Sequence, residues 1–190
     1  MPPVNSRRVA ASLLIVLAAC SRPDERREGF LVDDEPFDVA PMACDVAPPP
    51  AGTPTIQVVF SCDEVAVGSW RALPEAVTDT LSFALTALLE GPTPQERSAG
   101  LDSFFSAETA GMLNHATVRD GVAYVDFRNF AGIIPNASTS AGSAQLLDQL
   151  AGTIFQFDDI GEAEISFEGS CDVFWNWLQR GCQRLTRGGP

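Results

Sequence analysis

Leu88-Leu89-Glu90-Gly91-Pro92-Thr93-Pro94-Gln95-Glu96-Arg97, followed by Gly100-Leu101 and then by Val118-Arg119-Asp120-Gly121-Val122-Ala123-Tyr124-Val125-Asp126, is the stretch whose reading decides the fold of this 190-residue chain. Leu81, Leu85 and Leu88 recur at helical spacing after Thr78 or Asp79, either of which suits an N-cap. Gly91-Pro92 ends that helix, because Gly accepts the left-handed conformation past a helix end and Pro cannot continue the hydrogen-bond ladder. A second, shorter helix is expected at once. Thr93 stands at its cap, Pro94 at its first position and Glu96 at its third, where the carboxylate can reach back to the cap N–H; Gly100 closes it.

Asp120-Gly121 lies between two alternating runs, the pattern of a hairpin with a two-residue type I′ turn. The register follows: Arg119 opposes Val122, Val118 opposes Ala123, Thr117 opposes Tyr124 and Ala116 opposes Val125. Ala116, Val118, Ala123, Val125 and Phe127 then share an apolar face, and Thr117, Arg119, Tyr124 and Asp126 the other. Residues 143–155 form a second main helix, with Leu146, Leu150 and Ile154 on one stripe, Leu147 beside it and Ser143 as its cap. Ala163, Ile165 and Phe167 alternate with Glu162, Glu164, Ser166 and Glu168, and Ile56, Val58 and Phe60 alternate near residue 57, giving two more half-buried strands. Helices on one face of a sheet whose other face is polar imply an α+β fold: a two-layer α/β sandwich with a small, mostly antiparallel sheet and two main helices on one face.

These residues carry a resemblance to the GerMN domain, over roughly residues 55–169. The matching pieces are Leu88 to Pro92, Gly100-Leu101, the hairpin at 118–126, and Thr153-Ile154-Phe155-Gln156-Phe157 entering the strand at 160–169. Ser106-Ala107-Glu108-Thr109-Ala110-Gly111 departs from the family, which tends to carry a Pro and Gly-Thr ahead of the hairpin, and Phe127-Arg128 replaces its usual Leu-Ser. The resemblance implies a module of sporulation and spore-germination lipoproteins that contacts other proteins, with no catalytic residues to carry over. Some members resemble ring-building modules of secretion-like assemblies, so self-assembly is an expectation by analogy of fold, for a chain with room for one copy of the domain.

Residues 1–19 carry Arg7-Arg8 and an apolar run from Val9 to Ala19, too short to span a bilayer and suited to a signal-peptide core. Leu17-Ala18-Ala19-Cys20 resembles a bacterial lipobox, which makes Cys20 the expected site of lipidation, palmitate among the acyl chains. At about 0.8 kcal/mol per buried methylene, two or more chains hold a protein at the membrane where one binds reversibly. The alternative is an ordinary secretory signal with a coincidental Cys20. Residues 20–54, rich in Pro and acids and including Pro48-Pro49-Pro50 and Asp33-Asp34-Glu35, read as a tether. One domain of about 130 residues remains, enough for its own core: the GerMN-type body at 55–169 and a C-terminal helix and tail at 170–190.

Four cysteines follow Cys20, an even number for an oxidising compartment, and none forms a zinc-type cluster. Cys171 and Cys182 flank a short helix containing Phe174, Trp175 and Trp177; their pairing would stabilise it by about 3 kcal/mol and leave Cys44 for Cys62. Cys62 with Cys171 is the open alternative, since both follow strands.

The net charge of −13 and the complete absence of Lys oppose nucleic acid as a partner, the Arg residues being scattered. Glu162, Glu164 and Glu168 read as solvated strand surface, with a binding face or loose divalent-cation site as the minority reading. His115 is the only histidine. Ser103, Ser106 or Asp126 could stand near it, but no Gly-x-Ser-x-Gly elbow accompanies them. No catalytic residue, metal or cofactor is expected. Arg128 is a candidate contact for an unidentified envelope protein; Phe174, Trp175 and Trp177 read first as core, with Trp175 and Trp177 as partner contacts the minority reading, since aromatics dominate such patches. Two other classes stay open: a small-ligand-binding lipoprotein, and, further off, a hydrolase built on His115.

Overall fold

The computed structural model describes Cys44 and residues 47–188. The signal segment, Cys20 and most of the tether lie outside the described residues. Ten elements follow in order: β1 (Thr55–Cys62), β2 (Val65–Ala72), α1 (Thr80–Glu90), α2 (Pro94–Ser98), β3 (Leu113–Arg119), β4 (Val122–Phe127), α3 (Ser140–Ile154), β5 (Glu162–Phe167), α4 (Cys171–Trp177) and β6 (Arg184–Thr186). The class is α+β. The strands divide into two sheets, an antiparallel pair β1-β2 and a four-stranded sheet in the order β3-β4-β5-β6, in which β4 and β5 run parallel and the other neighbours antiparallel.

The helix signals act as their chemistry requires. Asp79 accepts from the Ser82 N–H at the start of α1, and Gly91, at φ 75°, stops it with its N–H on the Leu88 carbonyl. A side chain at Gly91 would run into the backbone of Phe105, so close approach as well as conformation requires glycine here. Thr93 and Glu96 form the reciprocal capping box of α2. The hairpin at 119–122 has the expected register, with Asp120 at φ 52° and Gly121 at φ 78°, both left-handed as a type I′ turn demands.

The second main helix begins three residues before the position read from sequence. Its cap is Thr139, not Ser143: the Thr139 hydroxyl accepts from the Gly142 N–H at 3.0 Å. Gly142 lies in this first turn. It is glycine because the chain at Asn136, itself at φ 61°, folds back so closely that a Cβ would strike the Asn136 carbonyl.

Leu81, Leu85 and Leu88 of α1 and Leu146, Leu150 and Ile154 of α3 are buried with Ala123, Val125 and Phe127 of β4 and Ala163, Ile165 and Phe167 of β5. Each such Leu or Ile contributes about 1.5–3 kcal/mol of transfer free energy. Val118 shares their face at the sheet edge but is 40% exposed. A ring cluster closes one end of the core, with Phe130 edge-on to Phe167 at 4.8 Å and to Phe105 at 5.8 Å, and Phe174 against Phe167 at 5.1 Å. Disulfides join Cys44 to Cys62 and Cys171 to Cys182.

The outer edge of strand β1 is occupied by Thr153 of α3, by Gln156 just past its end, and by Asp102. The Gln156 amide spans Gln57, its Oε1 accepting from the Gln57 N–H and its Nε2 donating to the Gln57 carbonyl, each at 2.7 Å. Thr153 Oγ1 accepts from the Val59 N–H, and Ser61 exchanges two backbone hydrogen bonds with Asp102. With both groups of Gln57 and Ser61 and the Val59 N–H paired, the edge is closed to further strands.

Candidate functional site

The helices leave one face of the four-stranded sheet open. Because side chains alternate across a strand, the register places His115, Thr117 and Arg119 of β3 beside Tyr124 and Asp126 of β4, Glu162, Glu164 and Ser166 of β5, and Arg184 of β6. Tyr124 sits between two guanidiniums, Arg119 at 5.6 Å and Arg184 at 5.8 Å from the ring centroid. Arg184 also pairs with Glu162 at 2.9 Å and Glu164 at 3.2 Å. The acidic stripe expected along β5 is therefore met by a cation from β6, a strand the sequence reading did not contain. Among the described residues no group of His, Cys, Asp or Glu could hold a metal ion.

Asp126 is the buried charge of this face. Burial alone would raise its pKa, but the Ser166 hydroxyl at 2.6 Å, the Gly169 N–H at 2.7 Å and the Asn114 amide at 2.9 Å, with His115 adding a small electrostatic pull, bring it below the usual carboxylate range. His115 Nδ1 stands 4.0 Å from Asp126 Oδ2, and His115 is 60% exposed. The two seryl hydroxyls imagined near His115 are engaged elsewhere: Ser103 donates to Gln149 and Ser106 accepts from the Glu108 N–H. A shallow hollow of about 220 Å³ lies over His115, Arg119, Tyr124, Asp126, Glu164 and Ser166. Its walls are polar side chains around one aromatic ring, Asp126, Ser166 and Glu164 among them hydrogen-bonded.

The candidate partner contacts divide. Arg128 is exposed and, two residues beyond Asp126, continues the polar alternation; its guanidinium donates to the Gly111 carbonyl. Trp177 is half-buried, packed against Phe130 at 5.8 Å and Phe167 at 5.5 Å. Trp175 is fully buried and cannot be a surface contact, which corrects the sequence reading. In the fold α4 is enclosed enough to bury Phe174 and Trp175 together, stacked edge-on at 5.5 Å. Among the described residues the Trp175 indole N–H has no hydrogen-bond partner.

The Germane family, described as "Sporulation and spore germination", matches residues 57–171. The chain belongs to that family. Among solved structures, the tandem GerMN domains of the sporulation protein GerM from Bacillus subtilis superpose with a TM-score of 0.53 at 16% identity, over 75% of this chain and 47% of that one. The chain thus spans about half the length of the tandem protein. The first GerMN domain of the same protein matches at TM-score 0.47 and 19% identity, covering 62% of this chain and 84% of that one. A candidate lipoprotein from Clostridium perfringens matches at TM-score 0.43 and 15% identity, covering 75% and 93%. No curated protein matches.

Proposed function

We propose that the protein is a non-catalytic, lipid-anchored, extracytoplasmic interaction module that serves sporulation, germination or envelope assembly by binding another envelope protein through the open face of its four-stranded sheet. The observation that carries this reading is the Arg119-Tyr124-Arg184 stack, flanked by Glu162 and Glu164. It is a rigid amphipathic ring held on regular strands between fixed charges, the composition of an interface anchor. Membership of a sporulation and germination family supports the process, the two disulfides support an oxidising compartment, and the lipobox-like quartet ending at Cys20 supports the anchor. Arg128 lies at the rim of the proposed surface, whereas Trp177 serves the core behind it.

The test separates binding from chemistry. Tyr124→Ala and Arg119→Glu, introduced into the membrane-anchored chain, should abolish co-purification of a specific partner and fail to complement a deletion strain, with the fold intact by circular dichroism; His115→Ala should complement fully. Full complementation by both face variants with loss on His115→Ala would reject the reading in favour of a hydrolase. Cys20→Ser should move the protein from the membrane to the soluble fraction, and unchanged partitioning would reject the anchor.

A further inference from the structure

Among the described residues no strand lies along the outer edge of β2, where the Trp70 carbonyl accepts from Arg71 Nη1 at 3.2 Å. Hydrogen-bonded positions alternate along an antiparallel pair. The bonds that leave β1 outward come from Gln57, Val59 and Ser61, so Ile56, Val58, Phe60 and Cys62 face β2. Their register partners Arg71, Ser69, Val67 and Val65 face back. Ala66, Gly68 and Trp70 therefore direct their backbone groups away from the sheet, and among the described residues nothing pairs with their N–H groups. Edge strands are ordinarily blunted by charge, proline or a bulge. From Val65 to Trp70 this one carries none of these, and it exposes Val65 by 53% and Trp70 by 37%.

We propose that β2 is a self-pairing edge: two copies of this chain join antiparallel through β2, about a twofold axis at Gly68, into a continuous four-stranded sheet. The occupant is a second copy because the edge is complementary to itself. Ala66 and Trp70 lie two residues either side of Gly68, so the axis sets the partner's Trp70 opposite Ala66 and the reverse, a large side chain against a small one twice over. Ala66 borders an apolar hollow of about 430 Å³ whose other walls include Leu147, Ala151, Phe155 and Leu185. The partner's Trp70 enters it. Gly68 falls on the axis, its open face covered by the Gln57 side chain of its own hairpin, and Arg71, held by Glu96, faces an uncharged Val65 rather than a like charge. This site is separate from the open face of the larger sheet and does not depend on its role.

The experiment uses the full chain in detergent micelles. Sedimentation should give a protein mass twice that of one processed chain, and hydrogen exchange should show the Ala66, Gly68 and Trp70 amides protected in a concentration-dependent way. Trp70→Lys and Gly68→Pro, the latter removing an N–H that β1 does not use, should each weaken the dimer by about tenfold or more. If Gly68→Pro fails to fold, Trp70→Lys and the exchange pattern of the wild type decide. A monomeric wild type, a dimer unaffected by folded Trp70→Lys, or fast exchange of the three amides in the dimer would each overturn the proposal.

Discussion

Arg71 of β2 and Glu96 of α2 form a buried ion pair that ties the small sheet to the helical layer. Glu96 is only 4% exposed. Its Oε2 accepts from Arg71 Nη2 at 2.8 Å and from the Thr93 N–H at 2.7 Å, while Oε1 is reached by Arg71 Nη1 and the Ser69 hydroxyl. One carboxylate thus completes the capping box of α2 and clamps β2. The Arg71 guanidinium also lies 5.6 Å from the centroid of the Phe60 ring.

Removing Arg71 leaves the Glu96 carboxylate buried and alone, which typically costs about 3–5 kcal/mol, and Arg71→Ala should lower stability by about that much in denaturant titrations. Glu96→Ala should cost less, because the Arg71 guanidinium it leaves is 19% exposed and reaches water. The double variant should be less destabilised than the sum, and strict additivity would show that the pair is not coupled.

The same carboxylate sets an acid limit. Burial raises its pKa, but the donors from Arg71, Ser69 and Thr93 outweigh that and lower it from 4.5 to about 2. A depressed folded-state pKa stabilises above the unfolded value and is lost as pH falls towards the folded one. The contribution, on the order of 3 kcal/mol, should therefore be intact above about pH 4.5 and disappear progressively towards pH 2. Stability measured against pH should lose this component in Glu96→Gln; an unchanged acid limb would assign it to other groups, Asp126 first among them.

The two hairpins make opposite predictions about one kind of turn. At Asp120-Gly121 the second position is glycine at φ 78°, whereas at Asp63-Glu64 ordinary residues adopt φ 47° and 68° between Cys62 and Val65. Left-handed backbone costs an L-residue about 1–2 kcal/mol. Gly121→Val should lower the melting temperature clearly, while Glu64→Gly should raise stability by up to about 1 kcal/mol. A neutral Gly121→Val would contradict the turn geometry.

Gln156→Ala should expose the edge of β1. It strips the partners from both backbone groups of Gln57, leaving part-buried polar atoms unpaired at a cost of about 1–3 kcal/mol each where water cannot enter. Faster amide exchange at Gln57, with Val59 still held by Thr153, would confirm that the helix closes this edge; equal rates would refute it.

These elements show where sequence reading reaches. Gly91-Pro92, the Thr93-Glu96 box and Asp120-Gly121 were legible because each is a local device whose residues identify its geometry. Strand β2 was not: its turn is written Asp63-Glu64 without glycine, and Val65 to Ala72 has small residues where alternation would have spoken. The strand β6 is three residues long, so Arg184 could not be placed against Glu162 and Glu164 in advance. Glu96 was read as a cap only, since its partner Arg71 lies 25 residues away in that unseen strand. Of the open face, the β3–β4 half was visible as alternation; the Arg119-Tyr124-Arg184 stack needed the sheet order.

The bond between Cys44 and Cys62 also determines how the domain bears load. A pull on the chain ahead of Cys44 passes through the sulfurs to Cys62 and bypasses the segment from 45 to 61, including nearly all of β1. Tension therefore enters at the turn of the β1-β2 hairpin, leaving the Gln156 and Thr153 contacts along β1 slack. Without the disulfide the same pull would arrive at Thr55 and peel β1 from α3 one residue at a time. The cross-link makes the domain a shackle that can be pulled from ahead of Cys44 without being unravelled from its first strand.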